Sequence, residues 1–144
     1  MHPINRHVSL LFRMGERFLN RKLAGSGISS GTAPLLLELR DGGDRSPAAL
    51  AAAIGVDKAH VTRALRSLEQ AGYVLTAPTA ADGRSITVSL TGEGRAAAGR
   101  VEDAIRAWVA IVSRGASQAD LDTVNAVFDR FYANAQEYFA SKPT

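Results

Sequence analysis

The chain has 144 residues, enough for one domain with a modest hydrophobic core. It contains no cysteine, which excludes disulfide bonds and thiol-based switches. The net charge of +3, from 17 basic and 14 acidic residues, is compatible with nucleic-acid binding but does not indicate it. Neither a long apolar run nor a secretory signal pattern is present, so we expect a cytoplasmic protein without a membrane partner.

Two helices are predicted in the first forty residues. The first spans roughly five turns, with apolar residues at Ile4, Val8, Leu11, Phe12, Phe18, Leu19 and Leu23. The second runs from about Thr32 to Arg40, and Pro34 is tolerated there only within the first turn.

A pair of short helices joined by a tight turn follows. Ser46 is a suitable N-cap for the first helix of this pair, and Gly55 is a typical residue at its end. Asp57 then caps a second helix that ends at Gly72. A helix, a short glycine-containing turn and another helix are typical of a helix-turn-helix.

The second helix of this pair has two different faces. Val61, Leu65 and Leu68 form an apolar stripe. The opposite side carries polar and small residues, namely Ala59, His60, Arg63, Arg66, Ser67 and Gln70, with Thr62 at its edge. This composition suits a helix in a DNA major groove, where arginine and glutamine read base edges. An ordinary amphipathic helix with a solvated outer face gives the same pattern, so the helix alone does not decide between them.

A hairpin is predicted after this helix. Tyr73, Val74 and Leu75 favour a short strand, and a loop from Ala77 to Gly83 follows. Alternation from Ser85 to Leu90 then places Ile86, Val88 and Leu90 on one face of a second strand. Arg84 lies near the tip of this wing, where a cation suits the DNA minor groove. A plain hairpin with an exposed arginine is the alternative.

Two further helices are predicted in the C-terminal third. One begins after Thr91 and ends at Gly115, with apolar residues at Val101, Ile105, Trp108, Val109 and Val112. Ser117 and Asp120 have the spacing of a capping box at the start of the last helix. Its apolar residues are Leu121, Val124, Phe128, Phe131, Ala135 and Tyr138. The predicted fold is therefore mainly α with a small β wing, a winged helix-turn-helix flanked by N- and C-terminal helices.

In this order, the segments resemble the MarR family of winged-helix transcriptional regulators. The resemblance is carried by Val61-Thr62-Arg63, Leu68-Glu69, Gly72-Tyr73-Val74, Asp82-x-Arg84 and Leu90-Thr91. It implies a homodimer that binds a palindromic operator in double-stranded DNA, commonly as a repressor that small molecules release. It also implies DNA contacts from Lys58, His60, Thr62, Arg63 and Arg66, and from a wing arginine at Arg84 that Asp82 orients. Leu75 and Thr76 depart from the family pattern, because many relatives have a basic residue there.

The flanking helices favour dimerisation, because they are more apolar than one small winged-helix unit can cover. The alternative is an intramolecular bundle. The predicted parts of a single MarR-type domain are a dimerisation helix at 1–30, the DNA-binding lobe at 31–91 and dimerisation helices at 92–144.

A small-molecule site is also expected, where the resemblance puts family effectors between the helical segments and the DNA-binding lobe. Phe12, Arg13, Phe18, Leu36 and Trp108 are its predicted lining, and a single cation among apolar walls favours an aromatic or amphipathic anion. The alternative is that these aromatic residues belong to a plain hydrophobic core, and the sequence favours that alternative.

No catalytic or metal-binding motif is found in the sequence. His2, His7 and His60 lack metal-ligand spacing, and the carboxylates are scattered. We therefore expect neither an enzyme nor a cofactor. Two other classes stay open, a winged-helix module that binds a protein partner and a small-molecule binding protein that does not bind DNA.

Overall fold

The computed structural model describes residues 2–79 and 84–141. The helices and strands lie in the order α1 (Pro3–Lys22), α2 (Ala33–Gly42), α3 (Pro47–Ile54), α4 (Lys58–Gln70), β1 (Val74–Pro78), β2 (Ile86–Leu90), α5 (Gly92–Val112) and α6 (Gln118–Ser141). This order confirms the predicted mainly helical fold with a small antiparallel wing. The chain divides into two compact units, Met1–Trp108 and Val109–Thr144.

The hydrophobic core of the first unit lies where α2, α3 and α4 pack with the wing and α5. Its most deeply buried side chains are Leu35, Leu36, Leu50, Val61, Leu68, Val74, Val88 and Val101. Each such side chain contributes about 1.5–3 kcal/mol when it is fully removed from water. Packing of these aliphatic residues therefore fixes the orientation of α4, which supplies Val61 and Leu68.

The caps around the turn between α3 and α4 are those expected from the sequence. The Ser46 hydroxyl accepts a hydrogen bond from the Ala49 amide at 3.1 Å, and Gly55 ends α3 with a left-handed backbone (φ 71°). The Asp57 carboxylate accepts a hydrogen bond from the His60 amide at 2.7 Å. These contacts satisfy backbone groups at both sides of the turn and so define where α4 begins.

The wing is a two-stranded antiparallel sheet in which Val74 is paired with Leu90 and Pro78 with Ile86. A short bridge from Arg45 to Val88 adds a third backbone segment, with Arg45 N donating to the Val88 carbonyl at 3.1 Å and Val88 N to the Arg45 carbonyl at 2.8 Å. Strand β1 is longer than predicted, because Ala77 and Pro78 pair with β2 instead of lying in the loop.

Helix α5 begins in close contact with the residues that precede the wing. The Thr91 hydroxyl donates to the Gly72 carbonyl at 2.7 Å and accepts from the Gly94 amide at 2.9 Å. At Gly94 an added Cβ would lie 2.0 Å from the Tyr73 carbonyl oxygen. This position therefore requires glycine.

The second unit consists mainly of α6, which starts at the predicted capping box. The Asp120 carboxylate accepts from the Ser117 amide at 2.8 Å, and the Ser117 hydroxyl accepts from the Asp120 amide at 3.1 Å. None of the described residues of α6 is buried. Across residues 2–79 and 84–141, no helix has both the length and the apolar character needed to cross a membrane.

Candidate functional site

Helix α4 presents a cationic outer face. Val61, Ala64, Leu65 and Leu68 are buried on its inner side. Lys58, Thr62, Arg63 and Arg66 are all exposed. The helix therefore keeps its predicted amphipathic character, with aliphatic side chains inside and cationic side chains in solvent.

The cations on this face have no acidic partner among the described residues. Within residues 2–79 and 84–141, Lys58, Arg63 and Arg66 take part in none of the ion pairs, which are instead made by Arg40, Arg45 and Arg106. The Thr62 hydroxyl donates to the Lys58 carbonyl of the preceding turn at 2.9 Å. The positive charges of Lys58, Arg63 and Arg66 are therefore not neutralised by the described residues. They are exposed to solvent, where an anionic partner can reach them.

Arg63 borders a shallow groove of about 220 Å³ at the side of α4. Its other walls come from the end of the α1–α2 loop, the start of α2 and α4 itself, namely Ser29, Gly31, Thr32, His60, Ala64 and Ser67. Hydroxyl groups and one guanidinium line this groove. Because these groups donate hydrogen bonds, the groove suits a ligand group with negatively charged or polar acceptor atoms.

His60 lies apart from the exposed cations of α4. Its side chain is half-buried, and its Nε2 is 3.0 Å from the Gly31 carbonyl oxygen. Because a carbonyl can only accept, this contact requires Nε2 to carry the proton and donate. Of the predicted DNA-contacting residues on α4, His60 is the one whose side chain is bonded to the loop before α2.

Arg84 is exposed and lies two residues before β2. Asp82, the residue predicted to orient it, lies outside the described residues. On the sheet that carries Arg84, Val88 and Leu90 face the core, whereas Ile86 at the outer end of β2 is 46% exposed. The distal part of the wing is therefore a surface element.

A cavity of about 410 Å³ lies between α1 and the helix-turn-helix. It is lined by Leu11, Phe12, Gly15, Glu16, Leu19, Ser30, Gly31, Pro34, Ile54, Val56, His60 and Trp108. Its volume is within the range of about 300–1,000 Å³ found for small-molecule sites, and most of its wall is apolar. One of these lining residues, His60, belongs to α4.

Only part of the predicted effector-binding set lines this cavity. Phe12 and Trp108 do, but Arg13 and Phe18 do not. Phe18 packs on the Trp108 ring, with centroids 5.4 Å apart. Leu36 is completely buried in the core and is not a cavity residue.

Glu16 and His60 line the cavity although neither was predicted to do so from the sequence. Glu16 follows Phe12 by four positions and so shares its helix face, a spacing that would have identified it. Arg13 lies about 100° away from Phe12 around α1. For His60 the sequence carries no such signal, because its position depends on the contact with Gly31.

Gly15 allows the walls of the cavity to meet. An added Cβ at Gly15 would lie 3.1 Å from the Trp108 indole nitrogen, so the glycine permits close contact between α1 and α5. The side chain of Asn20 also ties α1 to the following loop, because its oxygen accepts from the Ser30 amide at 2.8 Å. These contacts hold the α1 side of the cavity against the loop and α5.

A second, more open cleft of about 510 Å³ lies between the end of α1 and α5. It carries charges of both signs, from Lys22, Arg100 and Asp103. In the described part of the chain, no group of three His, Cys, Asp or Glu side chains has the arrangement of a metal site.

Comparison with known proteins finds similarity to MarR-family regulators. A family model described as MarR family matches residues 26–85, a region that contains α2, α3, α4 and β1 and ends before β2. No curated protein matches the chain. Among solved structures, a MarR transcriptional regulator from Methanosarcina mazei Go1 is 25% identical, with a TM-score of 0.85 over 94% of this chain and 99% of that one.

Two more distant structures share the fold. The transcriptional regulator SlyA is 17% identical, with a TM-score of 0.88 over 96% of this chain and 97% of that one. A mutant MarR from E. coli, complexed with operator DNA, is 21% identical, with a TM-score of 0.79 over 90% of this chain and 94% of that one. The chain therefore matches the MarR family model over residues 26–85 and has the winged-helix fold of MarR transcriptional regulators over nearly its whole length.

Proposed function

We propose that the protein is a cytoplasmic, homodimeric transcriptional repressor that binds a palindromic operator and is not an enzyme. The uncompensated cationic face of α4 is the observation that carries this proposal. Lys58, Arg63 and Arg66 are exposed and have no ion-pair partner among the described residues. The operator DNA bound to the E. coli MarR mutant, which shares this fold, supports it.

The residues of the DNA-binding face and the wing have three proposed roles, namely base reading, phosphate contact and minor-groove contact. Arg63 reads a base edge in the major groove, because arginine can donate two parallel hydrogen bonds to guanine. Lys58, Thr62 and Arg66 contact the phosphate backbone and fix the register. Arg84 enters the minor groove from the wing, with Asp82 orienting it.

The exposed apolar faces of α1 and α6 support the homodimer. On α1, Ile4 is 49% and Val8 is 42% exposed, and neither lines the cavity. On α6, Val124, Phe128 and Phe131 lie on one stripe and are 43–48% exposed. Apolar surface of this extent marks a protein interface, and a second copy of the chain would cover both faces. Two-fold symmetry then places two α4 helices about one DNA turn apart.

A charged residue on the stripe of α6 tests the dimer. Phe131→Glu should convert the dimer to monomer in sedimentation-velocity measurements, because a carboxylate would be buried at the interface. Ala133→Glu introduces the same charge on the opposite face of α6 and should leave the dimer intact. Equal effects of both variants, or a monomeric parent protein, would contradict this interface.

The cavity between α1 and the helix-turn-helix is the proposed effector site. A ligand there touches His60, which is also part of the first turn of α4. Ligand binding therefore has a direct contact through which it can change the orientation of α4 and release the operator. Affinity differences of this kind are reciprocal, so operator DNA must equally weaken ligand binding.

Salt dependence distinguishes DNA binding from a protein-interaction module. Phosphate contacts release counterions, so even four of them predict about a hundredfold loss of affinity between ~50 and ~200 mM salt. Titration of a fluorescent duplex by anisotropy at several salt concentrations measures this slope. Affinity that hardly changes with salt, or an absence of binding by the folded dimer, would overturn the proposal.

A further inference from the structure

Among the described residues, the cavity between α1 and the helix-turn-helix has one acidic side chain in its wall, that of Glu16. Within the same described part of the chain, His60 is the only other titratable side chain in its wall, and no lysine or arginine lines it. Glu16 is half-buried and makes no hydrogen bond or ion pair with any described residue. The electrostatic character of the cavity is therefore negative.

Aromatic rings form two parts of the same wall. Phe12 is 66% exposed and precedes Glu16 by one helical turn, while Trp108 approaches α1 at Gly15. Aromatic faces attract cations through the ring quadrupole, and tryptophan does so best. A carboxylate next to aromatic rings is a combination that favours a positively charged ligand.

We propose that this cavity binds a small aromatic cation, a ring that carries a protonated amine or a quaternary ammonium group, with Glu16 as its counter-ion. This inference rests on the proposed effector site and replaces the anionic ligand that Arg13 suggested. Arg13 lies outside the cavity, so an anionic ligand would meet Glu16 without a compensating cation. The ring of the ligand lies against the apolar wall, and its ammonium group faces the carboxylate.

Trp108 is the only tryptophan of the chain, so its fluorescence reports occupancy of the cavity directly. Three probes of similar size separate the effect of charge, namely phenethylammonium, 2-phenylethanol and phenylacetate. The proposal predicts that phenethylammonium binds at least about tenfold more tightly than phenylacetate, with 2-phenylethanol between them. Equal affinities, or tighter binding of phenylacetate, would overturn it.

Two variants locate the charge that selects the ligand. Glu16→Gln keeps the shape of the side chain and should reduce phenethylammonium binding about tenfold, to the level of 2-phenylethanol. Arg13→Gln should change the binding of none of the probes, whereas an anion site built on Arg13 would lose phenylacetate selectively. Circular dichroism checks that both variants are folded, and Asp103→Asn removes an acidic charge from α5 outside the cavity as a matched control.

The result is independent of the DNA-binding proposal because the titrations contain no DNA. Cation selectivity that depends on Glu16 supports the ligand class even when the protein binds no duplex. If the protein binds DNA but prefers phenylacetate, the ligand inference fails and the DNA-binding proposal stands.

Discussion

The His60 ring on α4 donates a hydrogen bond from Nε2 to the Gly31 carbonyl at 3.0 Å. His60 thereby connects α4, which carries the cationic face, to the loop before α2. Its side chain also lines the cavity between α1 and the helix-turn-helix. The same residue is held at the backbone by the Asp57 cap. A change in the cavity therefore has a short physical route to the start of α4.

His60→Ala should uncouple cavity occupancy from operator binding. Loss of the imidazole removes both the wall contact and the bond to Gly31, so the ratio of operator Kd values with and without saturating phenethylammonium should fall towards one. His60→Gln retains an N–H donor and should keep more of the coupling. If His60→Ala keeps the wild-type ratio of operator Kd values, with ligand saturation verified by Trp108 fluorescence, the coupling does not depend on His60.

Arg63→Ala should weaken operator binding by about 1–3 kcal/mol and relax the preference at one base position per half-site. The reason is the loss of a bidentate contact to a base edge. Competition between single-base variants of the operator measures this. Arg17→Ala, which removes an exposed arginine from α1, is the matched control, and a uniform loss across all sequences would instead assign Arg63 to a phosphate.

Arg84→Ala should weaken binding most at operators with A·T-rich flanks. Narrow A·T-rich minor grooves concentrate negative potential, and the wing arginine is proposed to lie there. Anisotropy titrations with A·T-rich and G·C-rich flanks around one core sequence measure the difference. An equal loss on both would remove the minor-groove assignment.

Gly94→Ala should destabilise the fold by about 1–3 kcal/mol, because the new methyl group would lie 2.0 Å from the Tyr73 carbonyl oxygen and the backbone must move. Gly99→Ala in the same helix is the control. No atom lies within 4 Å of a Cβ added at Gly99, so that variant should gain about 0.5–1 kcal/mol from helix propensity. Urea unfolding measures both, and similar effects of the two variants would contradict the close contact at Gly94.

Glu102 should make stability depend on pH in the acidic range. The Arg40 guanidinium, at 2.5 Å, and then Arg106, at 3.0 Å, hold the pKa of Glu102 below its ordinary value of 4.5. Because the folded-state pKa is lowered, the stabilisation is present above pH 4.5 and is lost as pH falls through the lower value.

Thermal unfolding of Glu102→Gln tests this contribution. The wild-type Tm should exceed that of the variant near pH 7, and the difference should shrink as the pH is lowered from 7 through 4.5 and below. Added salt should also reduce it, since the pair is partly exposed. A Tm difference that stays constant across this pH range would contradict the ion-pair contribution.

Local sequence signals predicted the elements of the fold well. Ser46, Gly55 and Asp57 determine the turn between α3 and α4 through short-range contacts, and the capping box at Ser117 does the same for α6. The end of β1 was predicted less well. Pro78 has no N–H and suggested a loop, but a proline is compatible with the end of an edge strand.

The cavity was harder to predict because its walls come from five separate parts of the chain. Sequence spacing gives the faces of α1, but the packing of α1 on α5 at Gly15 decides that Glu16, and not Arg13, lines the cavity. Leu36 was expected at the site, but tertiary packing places it in the core. The side-chain direction of His60 likewise depends on a contact 29 residues away.

Selection of bound duplexes from a random DNA pool, at near-physiological salt, is the decisive test of operator binding. We expect enrichment of an inverted repeat whose half-sites are about one helical turn apart, because two α4 helices of a two-fold dimer must enter successive major grooves. Failure of the folded, dimeric, ligand-free protein to enrich any sequence would contradict the operator-binding account.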